Sequence, residues 1–267
     1  MSAKSITFNS YSLQDSNFRT RDIVYRNMPE KVIDLEPNVR RDGFYIINTF
    51  YNQKIITISG TLTRDTETNL KASLAGMKEA LNTNEANLDI YDGDRTLRFN
   101  ATVESIDIPE EHYNITQVPY RISFRCQPFG TVTSSTTDTK AIDENSAVPY
   151  TNTFNPVGSA PPATVLKWAC DGNPTAAITQ IKFTNYTTNE SITVSGLVLD
   201  ADGDYLVIDY DAMTVKYSVD GGAETSIDFT GVLPSFVPGA NSYGLWITGG
   251  GATWDVEQTV VYFETYL

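Results

Sequence analysis

Residues 54–103 read KIITISGTLTRDTETNLKASLAGMKEALNTNEANLDIYDGDRTLRFNATV, and a change of apolar period inside this stretch decides the fold. Ile56, Ile58, Gly60 and Leu62 keep a period of two, the pattern of a strand with one buried face. Over residues 66–82 the period lengthens. Leu70, Leu74, Met77 and Leu81 fall on one side of a helix, which is predicted to turn its leucines toward the sheet of the first domain. Asp65 or Thr66 can cap its start, because either side-chain oxygen can accept a backbone N–H of the first turn. Residues 87–91 return to strand. Asp92-Gly93 supplies the turn, since glycine accepts positive φ, and Leu97, Phe99, Ala101 and Val103 alternate on the way back.

Working outward toward the N-terminus, residues 5–8 and 18–25 are short β-prone pieces. Asn27-Met28-Pro29 and Glu36-Pro37-Asn38 then interrupt the chain, since proline removes a ladder donor and restricts its predecessor. Residues 43–50, GFYIINTF, and residues 53–62 are expected to form a hairpin turning at Tyr51-Asn52. Toward the C-terminus, Val118, Tyr120, Ile122, Phe124 and Cys126 give the cleanest period-two run, which stops at Pro128. Residues 131–139, TVTSSTTDT, are too polar to bury and are expected to be the junction between a domain at 1–133 and another at 134–267. Beyond it no helical period occurs. Strands are predicted at residues 164–168, 177–185, 191–199, 204–210, 214–219, 225–229, 243–248 and 254–263, separated by turns such as Asp202-Gly203 and Asp220-Gly221-Gly222. The predicted class is mainly β: a sandwich-like N-terminal domain with one α-helix and a β-hairpin, then a C-terminal β-sandwich or jelly roll.

The 267 residues suffice for two cores, and 15 Tyr with 12 Phe suit pleated, half-buried surfaces. No apolar run approaches the roughly 18 residues of a membrane-spanning helix. The opening MSAKSITFNSYSLQDSNFRT lacks the apolar core of a secretory signal. The four N-x-S/T sequons at Asn100, Asn114, Asn185 and Asn189 are accordingly read as compositional. Cys126 and Cys170 fall on strands of different domains and are read as buried thiols, with no staple or metal spacing.

The net charge of −14 is unevenly spread. Residues 1–133 carry 15 Lys and Arg against 17 Asp and Glu, whereas residues 134–267 carry 4 against 16. The acidic second half repels nucleic acid and anionic membrane surfaces, and no basic nucleic-acid footprint exists in either half. In the first half, Arg19, Arg21, Arg26, Arg40 and Arg41 are expected to pair with Asp22, Glu30, Asp34 and Asp42, within or between subunits.

Chemistry finds little foothold. His112, the one histidine, sits between Glu111 and Tyr113 at a turn, with no partner spaced to orient it. Gly249-Gly250-Gly251 lacks the lysine and the following helix of a phosphate loop. Asp200, Asp202 and Asp204 alternate as calcium ligands can, but Gly203 is misplaced for an EF-hand and no Glu closes the loop, so an acidic β-turn is the preferred reading. Trp168, Trp246 and Trp254 could offer sugar-stacking faces, although large aromatics ordinarily fill sandwich cores. No catalytic, cofactor or metal residue is assigned, and a glycosidase would need two carboxylates at a set separation.

The order of features resembles a family. The FRTRDIVY opening, the DGFY and ISGTL segments feeding a short helix, the Asp-Gly hairpin, the RISFRCQPF stop, and a second sandwich with NPVGSAPP and later PGAN are similar to the distal tail proteins of long non-contractile-tailed phages. The resemblance implies a galectin-like C-terminal domain projecting outward and an N-terminal domain forming a ring, usually hexameric, at the virion tail tip. It also implies synthesis in the host bacterial cytoplasm. The implied partners are further copies of the chain, the tail tube protein, and tail-associated fibres, lysins or receptor-binding proteins. No enzymatic activity, no specific nucleic-acid binding and no membrane insertion are implied. A carbohydrate-binding module attaching to cell-surface glycans is the alternative, and a hydrolase with an unrecognised site the third.

Overall fold

The computed structural model describes residues 5–37, 44–109 and 116–266. They divide into two compact units between Thr133 and Ser134, and the architecture is mainly β with one α-helix.

The first unit comprises β1 (Ile6–Phe8), β2 (Tyr11–Ser12), β3 (Phe18–Val24), β4 (Lys31–Pro37), β5 (Phe44–Tyr51), β6 (Lys54–Thr63), α1 (Glu67–Leu81), β7 (Ala86–Tyr91), β8 (Thr96–Asp107), β9 (Gln117–Cys126) and β10 (Gly130–Val132). Its main sheet runs β3-β6-β9-β8-β7-β1-β2, all pairs antiparallel, with β10 set beside the start of β8. β6 and β9 bury alternate residues along their whole length, as their sequence period requires. Gly60 serves a close approach: a Cβ there would lie 2.5 Å from the Tyr120 hydroxyl and 2.7 Å from the Arg19 carbonyl. The space lets Tyr120 reach the Leu13 carbonyl, to which it donates at 3.3 Å.

α1 begins where capping chemistry places it. The Thr66 hydroxyl accepts from the Asn69 N–H at 3.3 Å, and the Asp65 carboxylate accepts from the Asn69 amide at 2.8 Å. Leu70, Met77 and Leu81 are buried, whereas Leu74 is only half-buried, at the margin of the apolar stripe. The β7–β8 hairpin turns at Asp92-Gly93 as expected, with Gly93 at φ 111°.

Two local readings are corrected. β5 does not pair with β6; it pairs with β4, a strand that proline punctuation had hidden, while β6 lies between β3 and β9. Adjacency in sequence suggested the hairpin, but β6 takes its hydrogen bonds from strands distant in the chain. The polar segment at 131–139 is also partly strand, because an antiparallel ladder draws on backbone groups and tolerates threonine. Gly130–Val132 pairs with β8, and the segment's end opens β11.

The second unit is a two-sheet sandwich of β11 (Thr136–Asp143), β12 (Tyr150–Phe154), β13 (Ala160–Cys170), β14 (Ile178–Asn185), β15 (Glu190–Leu199), β16 (Tyr205–Asp209), β17 (Thr214–Ser218), β18 (Thr225–Ser226), β19 (Phe229–Gly231), β20 (Asn241–Gly249) and β21 (Asp255–Tyr266). One sheet runs β18-β17-β16-β13-β21-β11 and the other β12-β20-β14-β15-β19. Their inner faces share one core, in which Trp168 of β13 meets Phe183 of β14 at 5.8 Å and Gln258 of β21 donates to the Tyr243 hydroxyl of β20 at 2.9 Å. The single strand expected at 225–229 divides into β18 and β19, which belong to opposite sheets. β11 and β12 carry too few apolar residues to have been read from sequence.

Leu70→Ala should destabilise the first unit by about 2–5 kcal/mol, the range for a fully buried leucine, and Leu74→Ala by clearly less. Urea unfolding of the two variants followed by circular dichroism tests this ordering.

Candidate interaction surface

β4 and β5 form a two-stranded sheet of their own. Register puts Ile33, Leu35 and Pro37 on the same face as Phe44 and Ile46, through the pairs Leu35 with Ile46 and Pro37 with Phe44. No second layer covers them among the described residues, so Phe44, Ile46 and Ile47 remain 67%, 66% and 63% exposed. The opposite face mixes Asp34, Glu36 and Asn48 with Val32, Tyr45 and Phe50. The base of this arm is fastened: Asn52 donates its N–H to the Glu30 carbonyl at 2.8 Å and its amide to the Glu30 carboxylate at 3.0 Å, while the Tyr51 and Phe129 rings meet edge-on at 5.3 Å. An isolated hairpin is marginal in water, and covering a large apolar side chain is worth about 1.5–3 kcal/mol. The arm therefore carries an apolar face that the described residues leave uncovered.

The sheet edges of this unit differ in character. β3 carries Arg19, Arg21 and Asp22 and a register shift between Thr20 and Asp22, devices that blunt an edge. β5 also has a register shift, at Ile47, but neither charge nor proline over its 8 residues, and its far side pairs with no strand among those described. β8 is open in a third way. Ala101 faces Ala86 of β7 on one side and Cys126 of β9 on the other, and past it β8 continues beside β9 while the β7 flank is left without a strand among the described residues. A groove of about 750 Å³ lies along that flank, with Leu81, Val103 and Ile106 beside Lys78, Glu79 and Glu104.

The residues singled out by sequence fall elsewhere or serve structure. Arg26 donates to the Tyr25 hydroxyl at 3.1 Å, and the described ion pairs do not join Arg19, Arg21 or Arg26 to Asp22, Glu30 or Asp34. Arg40, Arg41, Asp42, His112 and Asn114 lie outside the described residues. Trp168 is buried in the core, Trp254 packs against Gly250, and Lys182 sits 4.8 Å above the Trp246 ring.

Asp204 is an anchor that sequence reading took for part of an acidic turn. It is buried, and its two carboxylate oxygens accept from the N–H groups of Asp200 and Ala201, each at 3.0 Å, and of Asp220 at 2.8 Å. Asp202 accepts from the Gly172 N–H at 3.0 Å. These oxygens are aimed at backbone donors, an arrangement that ties loops together. The described residues contain no cluster of three metal-ligating side chains.

Two buried asparagines have similar roles. Asn185, nominally a sequon, donates to the Ser235 carbonyl at 2.7 Å, and Asn241 clasps the Pro238-Gly239 turn by accepting from the Val237 N–H at 3.0 Å and donating to its carbonyl at 2.7 Å. The PGAN motif was the available signal for the second. Burial pushes the Cys126 thiol up to about 12 and the Cys170 thiol up to about 11, so both are unreactive near neutrality. Beside Cys126, burial lowers the Lys54 amine, which lies 5.5 Å from the Phe99 ring centre.

With this geometry in hand, solved structures give a match along the whole chain. The SPP1 Dit protein, described as a paradigm of the hub adsorption apparatus in phages that infect Gram-positive bacteria, aligns over 99% of this chain and 99% of its own, with TM-score 0.71 and 13% identity. The chain has the fold of that hub protein. The resemblance to distal tail proteins thus holds at the level of fold. Two phage p2 baseplate structures in activated conformations, with strontium and with calcium, align over 91% of this chain at 8% and 7% identity and TM-score 0.44. No protein-family model and no curated protein sequence matches the chain.

Asp204→Ala should cost about 1–3 kcal/mol, because it strands several N–H donors that lie partly within reach of water; thermal unfolding measures the loss. Calcium should leave the wild-type melting temperature unchanged. Alkaline pH gives a second test. A thiol raised in the folded state contributes stability that is intact below its ordinary value of 9.0 and disappears as pH climbs toward about 12 for Cys126 and about 11 for Cys170. Lys54 acts oppositely, its burial penalty fading as pH rises toward 10.5. Urea midpoints should therefore fall above pH 9, and less steeply in Cys126→Ala.

Proposed function

We propose that this chain is a structural hub of a phage tail tip, forming a ring, in the reading favoured here a hexamer, between the tail tube and the baseplate or receptor-binding proteins. The observation that carries the reading is the fold correspondence with the SPP1 hub protein over 99% of both chains, which takes in both units of this chain. The exposed apolar arm supports self-association through the first unit, because Ile33, Leu35, Phe44 and Ile46 need a cover that the chain's described residues do not supply. Charge supports the same division of labour. With 16 acidic against 4 basic residues, the second half resists close packing of copies around an axis and suits an outward position. The role is one of assembly, with no reaction assigned. Glycan attachment through the second unit has weaker support: Trp168 is inaccessible, and Lys182 occupies one face of Trp246.

Residues 1–133 expressed alone are expected to self-associate, and residues 134–267 to remain single chains. Light scattering of the two halves checks this. An oligomeric second half beside a monomeric first half would overturn the assignment.

A further inference from the structure

The ring reading leaves open which surfaces join, and two features of the first unit answer one another. One is a strand without a neighbour. β5 is 8 residues long, free of charge and proline, and open on its far side among the described residues. Natural proteins rarely leave such an edge bare, because its row of backbone donors and acceptors pairs with any accessible strand. The other is a strand with a missing neighbour. Residues 102–107 of β8 are paired to β9 but have lost β7, and the vacated flank opens onto the groove beside the last turn of α1. At ~3.4 Å per residue this flank offers roughly 20 Å of edge, which an extended strand of β5's length spans. Val103 and Ile106, both half-buried, give the groove a small apolar strip above the buried Leu81, and the rest of its lining, such as Lys78, Asn84, Glu104 and Ser105, is polar.

We infer that β5 of one copy adds as a strand to the open flank of β8 in a second copy, seating the arm in the groove beside α1. The inference rests on the ring reading and supplies its joint. The occupant is a second copy because β5 is the longest uncharged open edge among the described strands, whereas β3 carries two arginines and an aspartate. Strand addition provides affinity through main-chain hydrogen bonds, and the side chains of alternate residues fix the register. The contact is heterologous, arm to groove, so each copy retains one free arm and one free groove until rotation closes the set. The same geometry explains how an apolar strand can be carried on the surface: closure leaves no β5 edge open.

Disulfide trapping on the full chain tests the joint. Ile46→Cys, Ile47→Cys and Asn48→Cys are each combined with Ser105→Cys, three positions that sample the register; the native thiols are buried and do not compete. On oxidation at least one pair should give a ladder of covalent multimers on a denaturing gel, while the single variants give none. In parallel, Ile46→Lys should reduce the native mass to that of one chain, with an unchanged circular dichroism spectrum. A wild-type oligomer that yields no ladder from any pair, or whose mass survives Ile46→Lys, overturns the strand-addition joint and leaves the ring reading standing. Covalent dimers from Ile46→Cys alone also overturn it, since they place arm against arm. A wild-type protein that stays a single chain at all concentrations overturns both.

Discussion

Ala101 has a hydrogen-bonded neighbour on each side, Ala86 in β7 and Cys126 in β9, and the architecture of the first unit follows from that crossing. Backbone groups inside a fold must find partners, and β8 meets this demand by pairing with β7 over its first half and with β9 over its second. The short hairpin at Asp92-Gly93 is thereby welded to the long ladder of β9 and β6. The helix falls into place through the same constraint: α1 leads directly into β7, so its last turn ends beside the point where β7 departs from β8, and the groove between them is the residue of that departure.

Ile, Phe and Tyr occur in both units, yet their fates differ with the number of layers above them. In the second unit two sheets face one another, and Trp168, Phe183 and Tyr243 are all buried between them. In the arm the same kinds of side chain stand on a single two-stranded layer and remain open to solvent. Hydrophobic burial is roughly proportional to area removed from water, and one layer removes little. This contrast leaves an uncovered apolar layer in the first unit, and it is independent of the difference in charge.

The acidic second unit shows how carboxylates and amides can be used without any catalytic purpose. Asp204 gathers three N–H groups from two loops, and Asn185 and Asn241 hold the segment around Pro238. A buried polar group of this kind costs free energy unless satisfied, so its value lies in fixing loops that have few apolar contacts. The surrounding charge is left to solvent.

Strands with one buried face were legible because their period of two survives in the side chains: β6, β8 and β9 were read with the right faces, as were the Asp-Gly turn, the face of α1 except for half-buried Leu74, and a cap at Asp65 or Thr66, of which Thr66 is the N-cap. The sandwich class of the second half was legible for the same reason. β4, β11 and β12 were not, since edge strands and arms draw on backbone hydrogen bonds and leave little trace in side-chain pattern. Asp204 looked like an ordinary turn residue because two of its donors, Asp200 and Ala201, belong to its own turn, and only the third, Asp220, is brought to it from another loop. By itself the sequence determined the local periods, the caps, the turns and the division of charge, all of which depend on neighbours within a few residues. Only the tertiary structure decided that β5 pairs with β4 and turns an apolar face outward, that β8 loses a neighbour after Ala101, and that a carboxylate in an acidic turn is buried as an anchor, because each depends on which distant backbone groups meet.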